Sequence, residues 1–232
     1  MQPFSKSVVQ YWNRSPRLRR VGTAMVLATL AVICINFLLT VYGQYHRLDP
    51  GAYTMFWTRR GWLWTHLAGG ALTISLGLVQ FLTQWPRVYP RLHRWTGRLY
   101  ITGMLIACVG AMGLVATSSA PLEIRSAFVI TTLVWLTTAW FALSAIYRGQ
   151  VDLHRRWMIR NYLVTLSPIT FRLFLKMAIA MKFAPSSEMI AILLTLSWLL
   201  PLLICEGVYR IVDRTILRSN SAFTPNPMRG RI

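Results

Sequence analysis

Acidic residues are scarce in this chain: its 232 residues include six Asp and Glu, against 25 Lys and Arg. Charged residues of both signs make up only 13% of the sequence, whereas 55% is hydrophobic. A chain of this length cannot bury so much apolar surface in one soluble core, which excludes an ordinary soluble protein. The composition indicates an integral membrane protein.

Cysteine is also scarce, and its positions exclude two kinds of site. Cys34, Cys108 and Cys205 fall in separate apolar stretches, so neither a disulfide framework nor a CxxC metal site is predicted. The few carboxylates show no Ser/His/Asp or metalloprotease spacing, which argues against hydrolysis. Nucleic acid is not a predicted partner despite the net charge of +19, because the cations cluster between apolar runs.

Long apolar runs are what the chain has instead. Six segments approach the ~20 residues that a helix needs to cross a bilayer, so we predict an all-α polytopic membrane helix bundle. The transmembrane domain is predicted over 21–211, with spans at 21–42, 61–82, 98–118, 125–147, 162–181 and 189–211. A basic segment, 1–20, precedes it, and a tail with the composition of a disordered segment, 212–232, follows it.

The distribution of cations favours one orientation in the membrane. The segments that share a side with the N-terminus carry most of the arginines, and the alternate loops carry few. The positive-inside rule therefore predicts that both termini are cytoplasmic. Anionic lipid headgroups on the cytoplasmic side are the expected partners of this charge.

One motif occurs twice, each time where a basic segment becomes an apolar helix. The copies are Leu92-His93-Arg94-Trp95 with Arg98 and Tyr100, and Leu153-His154-Arg155-Arg156-Trp157 with Arg160 and Tyr162. Imidazoles from two helices at equal depth can ligate haem iron from opposite faces, so His93 and His154 are candidate ligands of one b-type haem. The neighbouring Arg residues could then bind the haem propionates, and the Tyr residues could form hydrogen bonds at the rim of the porphyrin. Alternatively, each copy anchors its helix to lipid headgroups.

Two spans carry polar residues at helical spacing. They are His66, Gly70, Thr73, Gly77, Gln80 and Gln84 on the second span, and His154, Asn161, Thr165, Pro168, Arg172 and Lys176 on the fifth. Lipid cannot satisfy such groups, so both stripes are predicted to face a polar, partly hollow bundle interior. Small residues on the third span would let neighbouring backbones, or a flat cofactor, come close: Gly97, Gly103, Ala107, Gly110, Ala111 and Gly113.

Two residues of these stripes have alternative predicted roles. Arg172 lies about 18 Å of helical rise beyond Arg160, near mid-membrane. It either bonds carbonyls freed by Pro168, extends outward along the helix, or binds an anion. His66 is predicted to join helices by a hydrogen bond, to share a metal with His46, or to exchange protons with a bound quinol.

Three blocks of the sequence resemble a known family. They are His66-Leu67-Ala68-Gly69-Gly70, the block from Arg91 to Tyr100, and the block from His154 to Tyr162 continuing to Thr170-Phe171-Arg172-Leu173. They are similar to a bacterial membrane-protein family known as domain of unknown function 2306, over about 62–210. The resemblance implies a multi-pass bacterial inner-membrane protein. It also implies site residues of unassigned role, namely His66, His93, Arg98, His154, Arg155, Arg160 and Arg172.

A looser resemblance is to six-helix cytochrome b proteins, which hold haem between their third and fifth helices. His93 and His154 match that pairing, whereas the fourth span has no histidine for a second haem. Two classes of function stay open. One is a membrane redox component that binds one b-type haem or a quinone. The other is a transporter or assembly factor that binds a lipid headgroup or small anion in the bundle interior.

Overall fold

The computed structural model describes residues 16–84 and 89–221, with side chains over 20–81 and 89–215, and this part of the chain contains no strand. Its α-helices are α1 (Pro16–Tyr45), α2 (Pro50–Tyr53), α3 (Arg60–Gln84), α4 (Pro90–Ala116), α5 (Leu122–Tyr147), α6 (Val151–Thr165), α7 (Ser167–Ala180) and α8 (Ser187–Ser221). A 3-10 helix, Thr54–Arg59, leads from α2 into α3. The predicted basic segment, 1–20, lies mostly outside the described residues.

Five helical stretches are long and apolar enough to cross a membrane, and a bent pair of helices would make a sixth span. The five are Arg20–Tyr45, Pro50–Phe81, Pro90–Ala116, Leu122–Tyr147 and Ser187–Thr215. The pair is α6 with α7, which meet at 45°. The predicted all-α polytopic membrane fold is therefore confirmed.

The helical region that contains the predicted fifth span, 162–181, begins before that span. It begins at Val151, and it is broken after Thr165 rather than continuous. The physical reason is Pro168, at the start of α7, which has no N–H for the carbonyl four residues earlier and whose ring crowds that carbonyl. The polar turns from Val151 to Arg160 are helical because they pack against neighbouring helices.

The helix that contains the predicted sixth span, α8, continues ten residues past the end of that span at 211, to Ser221. Asp213, in the predicted tail 212–232, accepts two hydrogen bonds from Arg156 on α6. This contact explains why the helix extends beyond its apolar run. The remainder of that tail, from 222 onward, lies outside the described residues.

The helices form two compact units, one ending at Thr117 and the other beginning at Ser118. In the first unit, an aromatic core joins α1, α2 and α3. Tyr53 is fully buried, and its hydroxyl donates to the Tyr45 carbonyl at 2.8 Å and accepts from Trp64 Nε1 at 2.7 Å. Val41 and Leu63 complete this core. The loop between the first two spans is thus folded onto the helices.

In the second unit, tryptophan side chains join the helices. Trp135 Nε1 on α5 donates to Thr165 Oγ1 on α6 at 2.9 Å. Trp198 Nε1 on α8 donates to Thr131 Oγ1 on α5 at 3.0 Å. Because lipid offers no competing partner, such bonds fix which faces of the helices meet.

Candidate functional site

The polar stripe of α3 forms the contact with α4. His66 Nδ1 donates to the Ala107 carbonyl at 2.9 Å, and Thr73 is fully buried. Gln80 Nε2 donates to the His93 carbonyl at 2.8 Å and to Thr96 Oγ1 at 2.7 Å. At this face His66 and Gln80 are satisfied by the neighbouring helix, whereas Thr73 Oγ1 donates to the Gly69 carbonyl of its own helix at 2.7 Å.

Glycine allows α3 and α4 to approach until their backbones touch. A Cβ at Gly69 would overlap the backbone of Gly103 and Ala107, and a Cβ at Gly110 would overlap the backbone of His66. Of the two predicted possibilities for the small residues of the third span, close backbone contact is the one observed at this face. A flat cofactor does not fit between these surfaces.

The polar stripe that the sequence predicts on the second span includes Gly70 but not Gly69, which is the glycine at the contact. Gly70 is not at the contact, because a Cβ there would have no heavy atom within 4 Å. Gly69 lies three residues after His66 and four before Thr73, so helical spacing alone could have identified it. The side chain of Gln84, the last predicted member, lies outside the described residues.

The first copy of the repeated motif lies on α4. His93 is half-buried, and Tyr100 is 1% exposed, so this phenol is packed inside the unit and does not face an open rim. Arg98 is exposed, and its guanidinium lies 5.3 Å from the centre of the Trp95 ring.

The second copy lies on α6, in the other compact unit. His154 Nδ1 donates to the Ala142 carbonyl of α5 at 2.8 Å. A carbonyl only accepts, so Nδ1 carries the hydrogen, and Nε2 of the neutral ring keeps the lone pair. Tyr162 is 4% exposed, so it is also packed inside its unit, whereas Arg155 is exposed.

Arg160 is engaged within its own unit. Its Nη2 lies 2.6 Å from Glu206 Oε2, and its guanidinium lies 4.9 Å from the Trp157 ring and 5.0 Å from the Tyr209 ring. The propionate role predicted for Arg160 therefore competes with an ion pair already present. The partner of Arg160, Glu206, is the one Asp or Glu of the sequence that falls within the predicted spans.

Arg156 is a contact residue that the sequence did not single out. Its two terminal nitrogens bond Asp213 at 2.7 and 2.9 Å, and its guanidinium lies 4.9 Å from the Tyr209 ring. Together with Arg160, it holds the first turns of α6 against the end of α8. The Tyr209 ring thus lies about equally close to the guanidiniums of Arg156 and Arg160, at 4.9 and 5.0 Å.

The polar stripe of the fifth span is partly satisfied by α5. Asn161 is fully buried, and its Nδ2 donates to the Trp135 carbonyl and to Thr138 Oγ1, each at 2.9 Å. Beyond the break, on α7, Arg172 is half-buried and Lys176 is exposed. The part of the stripe on α6 is therefore hydrogen-bonded to α5, and the part on α7 carries two cations.

A second proline lies within the helix that packs against α7, although that helix, α8, stays continuous from Ser187 to Ser221. Pro201 lies inside α8 and has no N–H to offer the carbonyl of Ser197, four residues earlier. Thr170 on α7 supplies the missing donor, because its Oγ1 lies 2.7 Å from the Ser197 carbonyl. Ser197 is fully buried. The break between α6 and α7 and the proline gap in α8 are thus joined by one hydroxyl.

The histidines do not form a conventional metal cluster within the part of the chain that the structure describes. No group of three or more His, Cys, Asp or Glu there could hold a metal ion. His46, the predicted metal partner of His66, is exposed, and its Nδ1 lies 3.1 and 3.0 Å from the carbonyls of Tyr42 and Gly43. In His46 and in His66, Nδ1 is thus already hydrogen-bonded to a backbone carbonyl.

Comparison with known proteins supports the membrane assignment without adding an activity. No curated protein and no solved structure matches the chain significantly. Residues 63–208, more than half of the chain, match the model of one family, described as Predicted membrane protein (DUF2306). This range contains His66, both copies of the repeated motif, and Arg172. The chain belongs to this family of membrane proteins of unknown function.

Proposed function

We propose that this protein binds a small phosphate or carboxylate anion at the broken fifth span, beside Arg172, as part of a transport or membrane-assembly function. The observation that carries the proposal is a hydrogen bond from Thr170 Oγ1, just after the break between α6 and α7, to the Ser197 carbonyl, which Pro201 leaves without its helical donor. Interrupted membrane helices commonly mark substrate sites, because irregular backbone is tolerated there only where it is buried or lines a cavity.

Arg172 supplies the charge that such a site needs. It lies on α7, two residues after Thr170, and is half-buried. A guanidinium at this depth is costly and is retained where it serves a partner. Its planar array of donors matches the oxygens of phosphate and carboxylate. The proposal places the anion against the guanidinium of Arg172.

The test is anion binding by the full-length protein in mild detergent, measured by calorimetry with inorganic phosphate and with acetate. We expect at least one of the two to bind, and we expect Arg172→Gln to weaken it by more than about tenfold. Arg172→Lys keeps the positive charge but loses the planar array of guanidinium donors. The affinity of this variant for the anion should therefore fall between those of the unaltered protein and Arg172→Gln. The matched control is Lys176→Gln, an exposed cation one turn further along α7.

Two results would contradict the anion site. The first is that neither anion binds the unaltered protein. The second is that Lys176→Gln weakens binding as much as Arg172→Gln does, which would indicate a general charge effect. Circular dichroism and thermal unfolding of each variant separate loss of the site from loss of the fold.

A b-type haem remains a second candidate function because of the geometry of His154. Metal-binding histidines usually donate their other ring N–H to a backbone carbonyl or a carboxylate, and His154 does so to Ala142. The sequence predicts His93 as the other axial ligand. A quinone is an alternative redox partner under the same proposal.

An optical spectrum of protein expressed with added haem tests this second candidate. We expect a Soret band, with α and β bands that sharpen on reduction, and their loss in His154→Ala and in His93→Ala. His66→Ala is the control that retains the bands, since His66 serves the contact of α3 with α4. A protein that stays colourless would contradict haem binding and leave the anion site unaffected.

We also propose that the protein lies in a bacterial inner membrane, with both termini in the cytoplasm. The support is the charge asymmetry of the sequence, since the segments on the proposed cytoplasmic side carry most of the arginines. The same asymmetry favours anionic headgroups as neighbours on that side. Cysteine accessibility at Gln150, between α5 and α6, and at Ser119, between α4 and α5, would distinguish the two orientations.

A further inference from the structure

One face of α8 is open and changes from apolar to cationic along its length. Leu203, Gly207, Arg210 and Arg214 recur at steps of four, three and four, so they share this face. Leu203 is 59% exposed, and a Cβ at Gly207 would have no heavy atom within 4 Å. Arg210 and Arg214 are both exposed at its end. Gly207 thus leaves a shallow gap between an apolar side chain and two guanidiniums.

The carboxylates nearby leave the charge of this face largely uncompensated. Both oxygens of Asp213 bond Arg156, at 2.7 and 2.9 Å. Glu206 holds Arg160 at 2.6 Å through Oε2, while its Oε1 lies 3.7 Å from Arg210 Nε. The side chain of Arg210 is 73% exposed. Each carboxylate is therefore bound mainly by a guanidinium of α6.

Arg214 adds to this excess, because it belongs to none of the ion pairs among the described residues. It lies one turn beyond Arg210, a spacing that places two side chains about 5–6 Å apart at their Cβ atoms. Two guanidiniums at that separation can bond different oxygens of one phosphate. The apolar run of the sixth span is predicted to end at 211, which puts both arginines at the depth of lipid headgroups.

We propose that this face of α8 binds one anionic phospholipid. Its phosphodiester lies between Arg210 and Arg214, and one acyl chain runs over Gly207 along Leu203. The phosphate provides the charge complement, and the apolar half of the face provides contact that a free phosphate ion lacks. The site uses none of the residues proposed to bind the anion beside Arg172.

The test measures binding of short-chain phosphatidylglycerol, with phosphatidylcholine of the same chain length as reference, to the full-length protein in mild detergent. We expect a preference for phosphatidylglycerol. Each arginine near an anionic headgroup contributes enough for about a fivefold effect, so Arg210→Gln with Arg214→Gln should weaken binding by about 30-fold. Gly207→Leu should weaken it with both arginines intact, because the new side chain fills the gap.

Arg47→Gln is the control, since Arg47 is an exposed cation in the loop after α1. Equal binding of the two lipids, or an equal loss in Arg47→Gln, would overturn the proposal. Competition by inorganic phosphate at the same concentration as the lipid would show a simple anion site and would overturn the lipid assignment. Because all the altered residues are exposed or border open space, thermal unfolding of these variants is expected to match that of the unaltered protein.

Discussion

In each compact unit, one histidine and one side-chain amide of a helix donate hydrogen bonds to backbone carbonyls of its neighbour. The two units differ in the number of residues between these bonds. In the first unit, His66 Nδ1 and the Gln80 amide on α3 donate to α4. Their acceptors are the carbonyls of Ala107 and His93, and the Gln80 amide also reaches Thr96 Oγ1, three residues past His93. The two donors are fourteen residues apart on α3, and the two carbonyls are fourteen residues apart on α4.

In the second unit, His154 Nδ1 and the Asn161 amide on α6 donate to α5. Their acceptors are the carbonyls of Ala142 and Trp135, and the amide again reaches a hydroxyl three residues on, Thr138 Oγ1. Here donors and acceptors are each seven residues apart. Equal spacing on two antiparallel helices, in steps of seven, keeps both bonds on one face.

What differs between the units is the packing around these bonds. Glycines bring α3 and α4 into backbone contact, whereas a break separates α6 from α7, and the helix beside them, α8, contains a proline. All three ion pairs among the described residues belong to the second unit. The first unit is built as a close-packed support. The second has the irregular backbone and the charge that a binding site uses.

The largest expected effect contrasts two adjacent glycines of the first unit. Gly69→Ala should lower the free energy of unfolding by about 3 kcal/mol, because the added Cβ would overlap the backbone of α4 and push the helices apart. Gly70→Ala should change it by less than about 1 kcal/mol, since open space surrounds that position. Unfolding in mixed micelles by added dodecyl sulfate measures both. Equal losses would contradict backbone contact between α3 and α4.

A smaller effect is expected for the two side-chain amides, Asn161 and Gln80, which make equivalent hydrogen bonds in the two units. Asn161→Leu should cost about 1.5 kcal/mol, because Asn161 is fully buried and its removal leaves a carbonyl and a hydroxyl without their donor. Gln80→Leu should cost about 0.6 kcal/mol, because Gln80 is only half-buried. The same micelle titration measures these losses. If Gln80→Leu proved the costlier change, burial would not govern the strength of the shared bond.

The sequence predicted the number of apolar segments and the inward position of Asn161 and Thr165, since both follow from hydropathy and helical spacing. It did not predict the eleven helical residues, from Val151 on, that precede the predicted start of the fifth span at 162. The turn from Val151 to Arg160 is too polar to be recognised as part of a span. Its helix is held by Asp213 and Glu206, which lie 57 and 46 residues further along the chain.

The candidate site was predictable only in part, for a related reason. The repeated motif identified His154, but its partner is the backbone carbonyl of Ala142, and no side-chain pattern marks a carbonyl as an acceptor. Likewise, Pro201 can be read from the sequence as a gap in hydrogen bonding. That Thr170 fills the gap depends on how α7 packs against α8. The predicted pairing of His93 with His154 stays a prediction.

The smallest expected effect tests whether charge distinguishes the second unit from the first. The side chains of Arg156 and Asp213 are 40% and 43% exposed, so solvent screens their attraction. A double-mutant cycle with Arg156→Gln and Asp213→Asn should give a small favourable coupling, and 1 M salt should reduce it toward zero, since the screening length falls to about 3 Å. Arg98 with Trp95 is the matched pair in the first unit, joined by a cation–π contact at 5.3 Å. Its coupling, measured with Arg98→Gln and Trp95→Leu, should lose less to salt because the ring carries no net charge. A coupling between Arg156 and Asp213 that persists in high salt would mean that geometry, rather than charge, holds α6 to α8.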